Sequence, residues 1–247
     1  MRPVHRFGLG GAVAAALVLL IGAGHSPPPG SPGVSRSVRA TTAAAETRRA
    51  GALFRDGSHF CSASVVRSPG RDLLVTAAHC LAGGAAGLSF VPAYHDGGDP
   101  YGSWQVVRTF TDDDWNGFED ADDDVAFAEV APLDGRRLQD VVGGERLDAS
   151  GVRDGRVTLI GYPASEEAPR VCANRIGTKG STQLRIDCTG YAGGTSGGPW
   201  LSADGAVIGV IGGYQQGGDT DDTSYSVAFG PAVAALYATA ERESSDG

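Results

Sequence analysis

The stretch Gly193-Gly194-Thr195-Ser196-Gly197-Gly198-Pro199 constrains this chain more than any other. It places a serine in a turn whose glycines allow positive φ and close approach of backbone to a substrate. It ends on a proline, which opposes a helix running out of the turn. A serine hydroxyl is a weak nucleophile at its own pKa and needs a base within hydrogen-bond reach. It also needs backbone N–H groups aimed at the oxyanion formed on attack. An ordinary Gly/Ser turn is the competing reading of the heptapeptide by itself, in a chain with 38 glycines.

The partner residues decide between folds. Gly194-Thr195-Ser196-Gly197-Gly198 also satisfies G-x-S-x-G, but the nucleophile elbow of α/β-hydrolases needs a histidine after the serine. The five histidines, His5, His25, His59, His79 and His95, all precede Ser196. A subtilisin-type order has aspartates available in Asp56 and Asp72, yet that fold continues from its serine into a helix. Val75-Thr76-Ala77-Ala78-His79-Cys80 ends an apolar run, Leu73-Leu74-Val75, and sets His79 at a strand end. Asp124-Val125-Ala126-Phe127 brings an aspartate into another apolar strand. These motifs, in the order His79, Asp124, Ser196, resemble the chymotrypsin-like (trypsin-fold) serine proteases. The resemblance covers roughly residues 51–240.

That resemblance implies an all-β fold of two six-stranded antiparallel β-barrels with a C-terminal helix. His79 is then the general base, Asp124 the group that orients it, and Ser196 the nucleophile. The N–H groups of Gly194 and Ser196 form the oxyanion hole. Asp122 and Asp123 are left to a solvated loop. Four cysteines allow three pairings; the resemblance favours Cys61–Cys80, which leaves Cys172–Cys188. Each would close a short loop worth about 3 kcal/mol in the loop-entropy view. Gly190, Tyr191, Gly212, Gly213 and Tyr214 fall where the family binds substrate, with Ile211 to Tyr214 offering backbone to an added strand.

Departures matter as well. Thr195 stands where animal trypsin-like enzymes carry an aspartate that pairs with a freed N-terminus, so that activation switch is not expected. Gly190 stands at the pocket floor where trypsin has an aspartate, so a preference for Arg or Lys by that means is not expected. The chain is closer to the bacterial branch that includes glutamyl-endopeptidase-like proteins. It lacks their histidine in Gly209-Val210-Ile211-Gly212-Gly213-Tyr214, so glutamate specificity is not supported.

The rest of the chain is read from its residues. Arg2, His5 and Arg6 precede an apolar run from Leu9 to Ala23, the pattern of a secretory signal over residues 1–24. Residues 25–50 are rich in Pro, Ser, Ala and Arg and read as a disordered linker or propeptide. The catalytic domain is expected over 51–240 and a polar tail over 241–247. Short apolar runs between Gly/Asp turns predict strands, and Gly230-Pro231 before an alanine-rich run predicts one helix. A net charge of −9 speaks against nucleic acid as partner. Asp112-x-Asp114-x-Asn116-Gly117 begins like a calcium loop, but its twelfth position is Asp123 and its flanks look like strands. It is read as an acidic surface loop, with no metal. The expectation is a secreted, monomeric serine endopeptidase acting on polypeptides, without cofactor and with no membrane association after signal cleavage. An esterase using the same three residues, or a silent binding module of the same fold, is the alternative.

Overall fold

The runs of apolar residues between glycine and aspartate turns become short strands. The computed structural model describes residues 33–40 and 45–245, and the signal pattern of 1–24 lies outside them. The elements begin with β1 (Val38–Arg39), α1 (Ala45–Arg49), β2 (Ala50–Arg55), β3 (Ser58–Val65), β4 (Leu73–Thr76) and β5 (Leu88–Pro92). They continue through β6 (Trp104–Thr111), α2 (Asp113–Phe118), β7 (Ala126–Val130), α3 (Leu138–Val142), β8 (Arg156–Gly161) and β9 (Arg170–Arg175). The last are β10 (Gly177–Lys179), β11 (Gln183–Asp187), β12 (Pro199–Leu201), β13 (Val207–Val210), β14 (Thr223–Val227) and α4 (Pro231–Ser245).

β2 to β7 close into a barrel in the order β2-β3-β4-β7-β6-β5. The period-2 rule shows in β6, where Trp104, Val106 and Phe110 are buried while Gln105, Val107 and Arg108 face solvent. Leu53, Val65, Leu74, Phe90, Trp104 and Ala126 fill the interior. Burying each large apolar side chain contributes about 1.5–3 kcal/mol.

The second barrel expected from the resemblance is not closed. The C-terminal half forms a five-stranded sheet, β1-β9-β8-β12-β13, and a three-stranded sheet, β10-β11-β14. A side chain interrupts the seam between β13 and β14. Ser226 Oγ accepts the Val210 N–H at 3.0 Å, in place of a backbone carbonyl. Gly209 leaves room for that hydroxyl, since a Cβ there would lie 2.5 Å from it. One backbone bond, Gly212 N to Tyr225 O at 3.0 Å, crosses just beyond.

Between the halves lies a shared core. Val75 and Phe127 of the barrel meet Ile160, Tyr162, Val210, Val227 and the Val233 face of α4. Pro231 opens α4, where its missing N–H costs nothing. The Tyr237 ring lies 5.2 Å from Phe127, and its hydroxyl donates to Arg67 O. α4 continues to Ser245, so residues 241–245 are helix and not the polar tail expected. Arg108 holds this last turn by donating to Glu243 O at 2.8 Å.

Residues 33–40, read as linker, are part of the folded C-terminal half. β1 pairs with β9, and Ser35 bonds Asp187 O and Thr189 N at 3.0 Å each. Asn174 Nδ2 donates to Gly33 O at 2.8 Å. Proline and serine content suggested disorder, but this segment gains its partners from strands more than 130 residues away. Among the described residues, no helix is long and apolar enough to cross a membrane.

Candidate active site

Antiparallel pairing brings His79 and Asp124 together. Thr76 at the end of β4 pairs with Ala126 at the start of β7. His79 lies three residues beyond Thr76 and Asp124 two before Ala126, so both emerge at the same barrel end. His79 rides a 3-10 turn, Ala78–Leu81, and Cys80 in that turn is bonded to Cys61 on β3. The second bond joins Cys172 and Cys188, so both expected pairings are present.

The Asp124 side chain is 1 % exposed and that of His79 15 %. His79 Nδ1 lies 2.8 Å from Asp124 Oδ2 and 3.1 Å from Oδ1. Asp124 also accepts the His79 N–H at 3.0 Å and the Gly213 N–H at 2.8 Å. A buried carboxylate needs such donors. With its Nδ1 proton directed at Asp124, a neutral His79 presents Nε2 as a proton acceptor. The other described histidines are bound to backbone: His59 to Pro163 O at 2.9 Å and His95 to Ala93 O at 2.8 Å. His5 and His25 lie outside the described residues.

Ser196 belongs to the C-terminal half, but the barrel grips its turn. Ser62 on β3 donates its N–H to Ser196 O at 2.7 Å and its hydroxyl to Gly194 O at 2.9 Å. The same hydroxyl accepts the Tyr162 N–H at 2.9 Å. Gly197, at φ +80°, has no space for a side chain against Thr76 Oγ1 and Ser62 O. Thr195 closes the turn on itself, its Oγ1 donating to Ala192 O at 2.9 Å. The amides of Thr195, Gly197 and Gly198 bond to Ala192, Ile211 and Thr195 carbonyls. Among the described residues, the Gly194 and Ser196 amides have no such acceptor. The Ser196 hydroxyl donates to Gln216 O at 3.5 Å, with no hydrogen bond to His79 among the described residues.

The expected substrate-binding positions divide. Tyr191 is 6 % exposed within the core of the C-terminal half, and its hydroxyl donates to Leu159 O at 2.9 Å. Burial pushes that hydroxyl's pKa up. The Tyr191 side chain therefore packs in the core. Gly190 lies beside the Arg170 guanidinium, 2.8 Å from where a Cβ would sit; that guanidinium pairs with Glu166 at 2.6 Å. The Gly212, Gly213 and Tyr214 amides donate inward, to Tyr225 O, Asp124 Oδ2 and Gln183 Oε1. An added strand finds no free amide on those three residues. Beyond them Tyr214–Gly217 forms a tight turn in which Gln215 and Gln216 take left-handed φ of +52°.

The acidic segment is not a calcium loop of the EF-hand kind, because Asp113–Phe118 is helical with Asp112 as its N-cap. The carboxylate oxygens of Asp112, Asp114 and Asp123 lie within 4.8 Å of one another. Sequence reasoning missed Ser62 and Gln183. Each is a buried polar residue inside a strand, and that placement is the one signal that could have pointed to them.

A closed barrel carrying a His–Asp pair beside a glycine-shaped serine turn is the architecture of a chymotrypsin-like serine peptidase. The family model for the trypsin-like peptidase domain matches residues 57–210. This chain belongs to that family and is a serine endopeptidase. It is similar to the crystal structure of the protease Anisep from Arthrobacter nicotinovorans, at 29 % identity and TM-score 0.70, covering 79 % of this chain and 96 % of that one. It is similar also to the thermostable serine protease AL20 from an extremophilic microorganism, at 27 % identity and TM-score 0.71, covering 81 % and 99 %. A Glu endopeptidase structure shares the fold at 15 % identity and TM-score 0.69, covering 83 % and 96 %. No curated protein matches the chain.

Proposed function

We propose that the chain is a secreted endopeptidase that cleaves polypeptides through an acyl-enzyme, with His79, Asp124 and Ser196 as its triad. The observation that carries this reading is the two-point bond of Asp124 to His79, through Nδ1 and the backbone N–H. It fixes both the ring and its tautomer. His79 Nε2 takes the Ser196 proton as Oγ attacks the scissile carbonyl, then passes it to the leaving amine. The hydroxyl leaves Gln216 O for this, by rotation about one side-chain bond. Gly194 and Ser196 N–H groups receive the oxyanion. Thr195 supports a turn that is set without a freed N-terminal amine, since its hydroxyl already bonds Ala192 O.

The test is labelling of the folded protein with a fluorophosphonate probe, alongside cleavage of a peptide library. Expected are a single adduct at Ser196, lost in Ser196→Ala, and peptide cleavage. Folded protein that takes no label at Ser196 refutes the reading. Label with turnover of small esters but none of peptides assigns the triad to an esterase.

A further inference from the structure

The triad reading leaves Gln183 unexplained. This residue opens β11, is 4 % exposed, and spans the two halves of the molecule. Its Nε2 donates to Ala121 O at 2.9 Å and to Asp122 Oδ1 at 2.6 Å. Its Oε1 accepts the Tyr214 N–H at 3.1 Å. Ala121 and Asp122 belong to the 3-10 turn that delivers Asp124. Tyr214 follows Gly213, whose N–H binds the Asp124 carboxylate. A closed circuit results: Asp124 to Gly213, Gly213 to Tyr214, Tyr214 to Gln183, and Gln183 back to the turn before Asp124. Gly213 is required in this circuit, at φ +76° and with its would-be side chain against Gln183 Oε1.

We propose that Gln183 is a positioning residue for catalysis, tying the Asp124 turn of the barrel to the 213–217 segment of the other half. The inference rests on the triad reading. An amide suits the position because the site needs two donors and one acceptor on one planar group. Neither a carboxylate nor a hydrocarbon supplies that set. Burial makes each unmet partner costly. Strain so introduced falls on the Asp124–Gly213 bond and the 214–217 turn, whose Gln216 carbonyl faces Ser196. Charged groups near this position include Asp122, Asp124, whose carboxylate accepts the neighbouring Gly213 N–H at 2.8 Å, and Lys179, whose ammonium lies 4.3 Å from the Tyr214 ring centre.

The experiment uses the full chain with Gln183→Met and Gln183→Glu, and reads the second-order rate of fluorophosphonate labelling from pH 5 to 9. Labelling needs the triad but no bound peptide strand, so it separates alignment of the nucleophile from substrate binding. Gln183→Met is expected to slow labelling about tenfold, the equivalent of one lost buried hydrogen bond. Gln183→Glu keeps the shape and separates the ionisation states. While its introduced carboxyl is protonated it donates to Asp122 but leaves Ala121 O without that donor, and labelling slows less than in Gln183→Met. Once ionised it faces Asp122, and labelling falls progressively below wild type as pH rises. Thermal unfolding of both variants checks that they are folded. Folded variants that label like wild type at every pH overturn the inference, also where the melting temperature alone has dropped. Ser196→Ala runs in parallel: its loss of labelling together with unaffected Gln183 variants removes this inference and leaves the triad standing, whereas retained labelling removes both.

Discussion

His79 and Asp124 sit on a barrel whose six strands bond all the way round, whereas Ser196 sits between β11 and β12 of a half whose two sheets stay open. The difference matches what each must supply. An acid–base pair needs a fixed spacing, which the β4–β7 register provides from backbone alone. The nucleophile and oxyanion donors proposed at Ser196 and Gly194 need unusual backbone angles, and the segments around them in the open half supply these. Gly190, Gly194, Gly197, Gly213, Gln215, Gln216, Gly217 and Gly218 all have positive φ there. Contacts such as Ser62 to Gly194 O and Gln183 to the Asp124 turn then hold the open half to the closed one.

The largest expected effect tests whether the halves act as one unit. Ser196→Ala and His79→Ala should each lower kcat on the order of a millionfold, and the double variant should be no worse. Asp124→Asn should cost about ten-thousandfold, because the ring loses its tautomer control. Steady-state peptide hydrolysis measures all four. A double variant whose losses multiply would break the picture of one catalytic unit assembled across two halves.

The His–Asp pair was legible because β4 and β7 are apolar runs, with His79 shortly after the end of the first and Asp124 shortly before the start of the second. The serine turn was legible from glycine and proline alone. The open seam between β13 and β14 was not, because there a Ser226 hydroxyl takes the place of a ladder carbonyl. Nor were Ser62 and Gln183 legible as site residues. Their partners lie 132 and 61–62 residues away in sequence, and no local pattern marks such contacts. The Tyr191 side chain shows the converse: it lies near the serine in sequence, yet it packs into the core.

The two disulfides sharpen the comparison at a smaller scale. They span 19 and 16 residues, so loop entropy gives each about 3 kcal/mol. Removing either pair by double alanine substitution should lower Tm by roughly 6–12 °C. Activity should separate them. Loss of Cys61–Cys80 frees the turn that carries His79 and should lower kcat about tenfold or more below the melting range. Loss of Cys172–Cys188 should leave kcat within a few-fold. Thermal unfolding with kinetics at low temperature checks both, and equal losses of kcat would mean that the open half is as tightly coupled to the chemistry as the barrel.

The smallest effect concerns the acidic segment, which belongs to the barrel by sequence yet is tied to the open half through Asp122. Partial burial, and then the charges of Asp112, Asp120, Asp114 and Asp122, hold the Asp123 carboxyl above its ordinary value of 3.8. The folded state therefore keeps this proton to higher pH than the unfolded chain. Between the ordinary and the raised value the folded state binds more protons, so its stability falls as pH rises through that window and stays lower above it. Asp123→Asn removes the penalty. The site is largely open to solvent and screened, so the gain should be small, about 1–2 °C in Tm at pH 7. It should shrink in 1 M salt, as repulsion between exposed charges does, and vanish below the ordinary carboxyl value, where both states are protonated. Thermal unfolding at pH 7 and pH 3, with and without salt, measures it. A lower Tm at pH 7 would show that the Asp123 charge has a favourable partner, and that this segment joins the two halves by attraction instead of merely tolerating its own repulsion.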